Sequence, residues 1–259
     1  MPSDPMIEIE RLSVTLGGSP RVDDFSLTVK TGAFHGLLGP NGAGKTTILR
    51  VLYRAQAPDG GVARIKGTPI DDWPRSEWTR AVGALVQDGG SLQGLSVRDV
   101  IEIGMMNLPL SPQARQARID DALGIAGLHH MADAEAALIS GGERQKTHIA
   151  QILARAPEVY VLDEPSNHLD MCYQILLLDE IKRRGKTVIA TFHDLTLAAR
   201  YCDTVTLMHE GRYVATGPPP DVLTRENLAN VFRLDGELRD GVVRINSAIP
   251  QDGGGDLPD

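Results

Sequence analysis

The nine residues Gly39-Pro40-Asn41-Gly42-Ala43-Gly44-Lys45-Thr46-Thr47 constrain this chain more than any other segment. They carry the spacing of a phosphate loop: a glycine, four residues, then Gly-Lys-Thr. An apolar run at 33–38 leads into them, and residues 48–53 continue with helical spacing. A buried strand, a glycine turn and a helix in that order predict a parallel sheet, because parallel strands need a crossover connection. Backbone N–H groups can wrap an anion only where side chains leave room and φ is unrestricted, which accounts for the glycines. The helix that follows adds the positive end of its dipole at the same point. In that setting Lys45 places a point charge on the β- and γ-phosphates of a nucleotide, and the Thr46 hydroxyl ligates Mg²⁺.

A second segment completes the hydrolytic set. Val159-Tyr160-Val161-Leu162 reads as a buried strand and ends in Asp163-Glu164-Pro165. At a strand end, two adjacent side chains can both turn toward a ligand. Asp163 is then placed to hold Mg²⁺. Glu164 is placed to polarise the attacking water, since hydrolysis needs a proton acceptor near the γ-phosphate.

Around these motifs the apolar pattern sets the architecture. Ile7 and Ile9, then Leu12, Val14 and Leu16, keep a two-residue period with one slip near Glu10-Arg11. Gly17-Gly18 turns the chain, and Phe25, Leu27 and Val29 alternate again. This period predicts antiparallel strands. Further strands are expected at 62–65, 81–86, 159–162, 187–191 and 205–208, and helices at 142–154, 174–184 and 195–201. Residues 96–127 are expected to be helical, with Ser96 and Asp99 as an N-terminal box. The fold class is α/β: a P-loop NTPase core with a mostly parallel sheet, an N-terminal antiparallel β subdomain, and a helical subdomain inserted at 88–137. One domain is expected over 1–245. The Gly/Pro/Asp-rich tail at 246–259 is expected to be disordered.

Composition excludes several functions. The net charge is −8 and no run of Lys or Arg occurs, which argues against nucleic acid or anionic lipid as a direct partner. Cys172 and Cys202 fall in no metal-ligand spacing. The first ten residues lack the pattern of a signal peptide, and no apolar run approaches the roughly 20 residues a membrane helix needs. A soluble, cytoplasmic chain is expected.

Ile139-Ser140-Gly141-Gly142-Glu143-Arg144-Gln145 resembles the signature segment of the ABC ATPases, usually Leu-Ser-Gly-Gly followed by Gln or Glu. The resemblance extends to about residue 245. By position, Gln87 resembles the Q-loop glutamine, Ser166-Asn167-His168-Leu169-Asp170 the D-loop, and His193 the switch histidine. It implies two copies facing head to tail, with each ATP held between the P-loop of one and the signature of the other. Ser140, Gly141, Gly142 and Glu143 would then touch the nucleotide in trans, and residues 166–170 would line the dimer interface. The implied catalytic set is Lys45, Gln87, Glu164 and His193, and the implied Mg²⁺ set is Thr46, Gln87 and Asp163. Two positions depart from the family pattern. Ile139 replaces the usual Leu, a volume-conserving change. Leu16 stands where members commonly carry an aromatic residue on the adenine, forgoing about 0.5–1.5 kcal/mol of stacking.

A single cassette, no sustained heptads between Thr46 and Ser140, and no zinc-finger spacing set the chain apart from translation, chromosome-organising and repair members. A transporter subunit is what remains. The run from His193 to Asp203, with Asn167-His168-Leu169-Asp170 and His209-Glu210-Gly211-Arg212, resembles the ATPases of importers for iron-siderophores, haem and cobalamin, and a late strand expected at 242–245 fits that branch too. That resemblance implies ATP and Mg²⁺ as cofactors and a homodimer held peripherally on the cytoplasmic side of the inner membrane. It also implies multi-span permease subunits as partners, a substrate-binding protein as an indirect one, and no nucleic acid. The alternatives are the ATPase of another ABC transporter class, or a soluble ABC-type ATPase of regulation or repair.

Overall fold

The computed structural model describes residues 4–85, 92–167 and 169–250. The chain opens with β1 (Pro5–Leu16) and β2 (Ser19–Lys30), then β3 (Phe34–Leu38), α1 (Lys45–Leu52), β4 (Gly60–Ile65), β5 (Thr68–Pro69), α2 (Arg75–Ala81) and β6 (Val82–Leu85). Three helices follow: α3 (Val97–Ile103), α4 (Pro112–Ala126) and α5 (Gly141–Arg155). The chain continues through β7 (Val159–Leu162), α6 (Met171–Arg183), β8 (Thr187–Thr191), α7 (Leu195–Tyr201), β9 (Thr204–His209) and β10 (Arg212–Gly217). It closes with α8 (Pro219–Val222), α9 (Arg225–Phe232), β11 (Leu234–Arg239) and β12 (Val242–Ala248).

The N-terminal sheet is antiparallel, in the order β2-β1-β4-β5. The slip near Glu10-Arg11 is a bulge. Ile9 pairs with Leu27 and Leu12 with Phe25, so three steps on β1 meet two on β2, and Arg11 takes a φ of 49°. The extra residue returns Leu12 and Val14 to the buried face.

The central sheet has the order β10-β9-β3-β8-β7-β6, parallel except for β10. β3, β8 and β7 are therefore neighbours, and their C-terminal ends lie side by side. Ligands of parallel α/β sheets bind at that end. Each of these strands is buried on both faces, so the two-residue alternation divides it between two cores. Leu37, Val159, Val161 and Ile189 join α1 and the antiparallel sheet. Leu38, Tyr160, Leu162, Val188 and Ala190 join the layer of α5, α6, α7 and α9. A fully buried leucine or valine of this kind contributes about 1.5–3 kcal/mol.

A third core joins α3, α4 and α5, through Val97, Ile101, Ile119, Leu123, Ala150 and Ala154. The helical unit therefore reaches past the expected limit of 137 into α5. That helix also sends Ile149, Ile152 and Leu153 into the main core.

Other boundaries differ from expectation. α1 begins at Lys45 rather than at 48, directly on the glycine loop. Ala81 closes α2 instead of opening a strand. The sequence Arg75–Ala81 has few apolar residues to signal a helix. It is held by Trp78, on which the Arg54 guanidinium lies 4.4 Å from the ring centre. β12 runs through Ala248, past the expected end at 245, because β11 pairs with it up to Leu234. Residues 251–259 of the expected tail lie outside the described residues. Among the described residues, no helix is long and apolar enough to cross a membrane.

Candidate functional site

The glycine loop leaves β3 and is clamped on both sides. Gly39, Gly42 and Gly44 take φ of 149°, 82° and 98°. A Cβ on Gly39 would collide with the Met208 carbonyl, and one on Gly44 would sit 2.5 Å from the Arg21 carbonyl oxygen. Backbone conformation and space thus both select glycine here. No side chain caps α1, so its first N–H groups are left for a ligand. Lys45 is buried, and its Nζ donates to the Gly39 carbonyl at 2.7 Å and the Pro40 carbonyl at 3.0 Å. Burial lowers the pKa of this ammonium, against the opposing pull of Glu164 and Asp163. A phosphate in the loop would favour the charged form further.

Residues 41–47 line a cavity of about 240 Å³ together with Leu16, Arg21 and Glu164. Gly39 and Pro40, expected among the ATP-binding residues, do not line it; their carbonyls hold the Lys45 ammonium instead. Arg21 escaped the sequence reading. It lies in an irregularity of the β1–β2 pairing, between Thr15↔Pro20 and Val14↔Val22, so its place beside the loop depends on register.

The acidic groups arrive from β7. Asp163 is buried, and its Oδ1 accepts the Thr46 hydroxyl at 3.2 Å and the Thr191 hydroxyl at 2.8 Å. Glu164 turns out of the strand at a φ of 49°, a left-handed conformation that costs a non-glycine residue about 1–3 kcal/mol. Its Oε1 lies 2.5 Å from His193 Nε2, and its Oε2 accepts from the Asn167 side chain. The carboxylate is thus gripped at both oxygens beside the phosphate loop. The structure brings Lys45, Thr46, Asp163, Glu164 and His193 together. Gln87 and His168 lie outside the described residues.

The signature segment stands apart from this cavity. None of the residues 140–143 lines it. Ser140 is the N-cap of α5, and it forms a reciprocal capping box with Glu143. Ser140 Oγ accepts the Glu143 N–H at 3.3 Å. Glu143 Oε2 accepts the Ser140 N–H at 2.9 Å and the Ser140 hydroxyl at 2.7 Å. These bonds hold the Glu143 carboxyl below the usual carboxylate range. Glu143 therefore engages the Ser140 donors that the resemblance assigns to a nucleotide. Within the D-loop segment, Asp170 caps α6 through the Tyr173 N–H at 2.9 Å and lies 3.7 Å from Lys146 of α5. It ties the start of α6 to the signature helix.

The ABC transporter family model matches residues 22–167, more than half of the chain. The chain belongs to the ABC transporter family. Relatives over most of its length agree. The hemin import ATP-binding protein HmuV of Shewanella denitrificans is 33% identical over 254 residues, covering 95% of this chain and 99% of that protein. The HmuV of Pseudomonas putida is 36% identical, covering 89% and 93%. Among solved structures, the ATP-binding subunit of an ABC transporter superposes with a TM-score of 0.78 at 25% identity, covering 84% of this chain and 91% of that one. The cbiO1 protein of Clostridium perfringens, part of the ABC transporter complex cbiONQ, gives 0.73 at 27% identity, covering 87% and 93%. This ABC subunit binds and hydrolyses ATP in the service of transport.

Proposed function

We propose that this ABC ATPase drives an importer of an iron chelate, with haem as the cargo, by hydrolysing MgATP at two sites shared between two copies of the chain. The observation that carries the hydrolytic part is Glu164, fixed at both carboxylate oxygens on the wall of the phosphate-loop cavity. That carboxylate accepts a proton from the attacking water. His193, bonded to it, orients the water and the γ-phosphate. Lys45 and the α1 N–H groups hold the charge that shifts onto the leaving phosphates.

The residues at hand fit Mg²⁺. Thr46 and Asp163 supply a hydroxyl and a carboxylate beside the phosphate loop. Among the described residues no cluster of three or more His, Cys, Asp or Glu forms a dedicated cage. One carboxylate plus substrate phosphates is the donor set Mg²⁺ usually takes. When bound, the ion neutralises charge on the β- and γ-phosphates.

The cavity has no wall from residues 140–143, and this supports the second copy. A nucleotide on the loop keeps one side free for the partner's Ser140, Gly141 and Gly142. A cavity of about 230 Å³ between α3, α5 and β6, lined by Ile103, Asn107, Gln151 and Arg155, supports contact with a permease subunit on this face. The subunit would thus sit peripherally on the cytoplasmic face of the inner membrane, with a substrate-binding protein acting beyond the permease. The cargo rests on the hemin-import relatives.

Glu164→Gln tests the whole reading. The variant should bind MgATP, run as a dimer in light scattering, and lose turnover by roughly two orders of magnitude or more. Cells carrying it in place of the native chain should lose growth on haem iron and keep growth on inorganic iron. Monomers alone with MgATP would remove the shared site. Unimpaired growth on haem would remove that cargo.

A further inference from the structure

We propose that Thr191 is a positioning residue that locks the two acidic groups of the site to each other. The inference rests on the hydrolytic reading above and identifies what holds that site in register. Thr191 is the last residue of β8 and is fully buried, after the apolar run Val188, Ile189 and Ala190. Its register partner on β3 is Leu37, two residues before Gly39, so it sits against the strand that feeds the phosphate loop.

The Thr191 hydroxyl donates to Asp163 Oδ1 at 2.8 Å and accepts the backbone N–H of Glu164 at 2.8 Å. A hydroxyl has one proton to give and lone pairs to receive, so both bonds form together. Each meets a need created by the chain. The β7 ladder ends at Asp163, whose N–H bonds to the Leu85 carbonyl at 3.2 Å. Glu164 then swings to its left-handed φ of 49°, and its N–H leaves the sheet. Thr191 supplies the acceptor that this turned N–H requires. With Thr46 bonding to the same Oδ1, it also sets the rotation of the Asp163 carboxylate. His193 and Asn167 fix the far end of Glu164, and Thr191 fixes its backbone. One hydroxyl thus sets the distance between the metal-holding carboxylate and the proton acceptor.

Thr191→Val keeps the shape and branching of the side chain and removes the hydroxyl. We expect kcat to fall about 10–100-fold with KM for ATP changed less than about threefold, since misplaced groups lose transition-state stabilisation before ground-state binding. Binding of a fluorescent ATP analogue without Mg²⁺ should be unchanged, while the Mg²⁺ concentration for half-maximal tightening rises about tenfold, as for loss of a bond that orients a metal ligand. Thr191→Ser should restore most of both. A valine variant with native kcat and native Mg²⁺ response would overturn the proposal. So would a serine variant as impaired as valine, because packing alone would then explain both. If valine does not fold, the serine and alanine variants repeat the comparison at smaller volume, and equal kcat and Mg²⁺ response in that pair overturns the proposal. Glu164→Gln run alongside separates the levels. An inactive Glu164→Gln with a native Thr191→Val removes only this inference, whereas an active Glu164→Gln removes the hydrolytic reading beneath it.

Discussion

At the scale of single residues, the phosphate-loop cavity takes Leu16 and Arg21 into its walls from outside the loop's own segment. With its phosphates on residues 41–47, a nucleotide would lay its base toward Leu16 and Arg21, the walls remote from the loop in sequence. An aliphatic side chain covers a ring without stacking on it. A guanidinium stacks on π faces, for about 0.5–1 kcal/mol at exposed sites. Leu16→Tyr should tighten MgATP binding about two- to tenfold, and Arg21→Ala should weaken it about two- to fivefold, both read by titration with a fluorescent ATP analogue. Unchanged dissociation constants for both would place the base elsewhere. Leu16 was legible by its alignment with a family position. Arg21 was not, because a side chain's distance to a loop in another element depends on register, and the register here shifts on either side of Val14.

At the scale of elements, α5 carries the most weight. It is capped at Ser140 by a reciprocal box, its Ile149, Ile152 and Leu153 enter the main core, and its Ala150 and Ala154 meet α3 and α4. The tip that would meet the partner's nucleotide is thus rigidly joined to both halves of the molecule. Ser140→Ala removes the cap. Loss of an N-cap costs about 1 kcal/mol, which in a chain of this size lowers Tm by about 2–4 °C. Differential scanning calorimetry would read that change. The same variant in the Glu164→Gln background should lose the MgATP-dependent dimer, and a dimer of native strength would show that Ser140 serves only α5. Boundaries of β7, β8 and α7 matched their sequence pattern, because apolar runs bounded by turns and caps define them. α2 and β11 did not announce themselves, whereas the late strand expected at 242–245 lies inside β12. The sequences of α2 and β11 are mostly polar, and what holds them is contact with Arg54 in one case and with α9 and β12 in the other.

At the scale of the whole molecule, the central sheet hides a titratable group. His35 of β3 is buried between Thr204 and Thr206, whose hydroxyls lie 2.8 Å from Nδ1 and 3.0 Å from Nε2. Thr216 donates its hydroxyl to the Val205 carbonyl, so Thr206 donates to Thr216 and accepts from His35. That order places the imidazole proton on Nε2 and leaves Nδ1 to accept from Thr204. Burial pushes the pKa of His35 down to about 3. The folded protein keeps this ring neutral where the unfolded chain protonates it, near pH 6.5. The unfolded state binds more protons between those values, so stability falls as pH drops from about 6.5 toward 3, by up to about 1.4 kcal/mol per unit. His35→Gln cannot titrate. Its stability relative to the native chain, from urea unfolding, should improve steadily from pH 6.5 to pH 4. A constant difference across that range would show that His35 is not the sensor.

The sequence by itself determined the chemistry and the class of fold. Glycines at fixed spacing, a lysine behind them, and paired carboxylates at the end of an apolar run are local statements, and local spacing survives in a linear text. Tertiary structure alone decided which distant groups meet. Neighbouring of β3, β8 and β7 puts Thr191 between Asp163 and Glu164, a pairing across 28 and 27 residues of chain. It also sets Arg21 beside the phosphate loop and seals His35 from water. Strand order and register are set by the simultaneous burial of three cores, and no short window of sequence contains that balance.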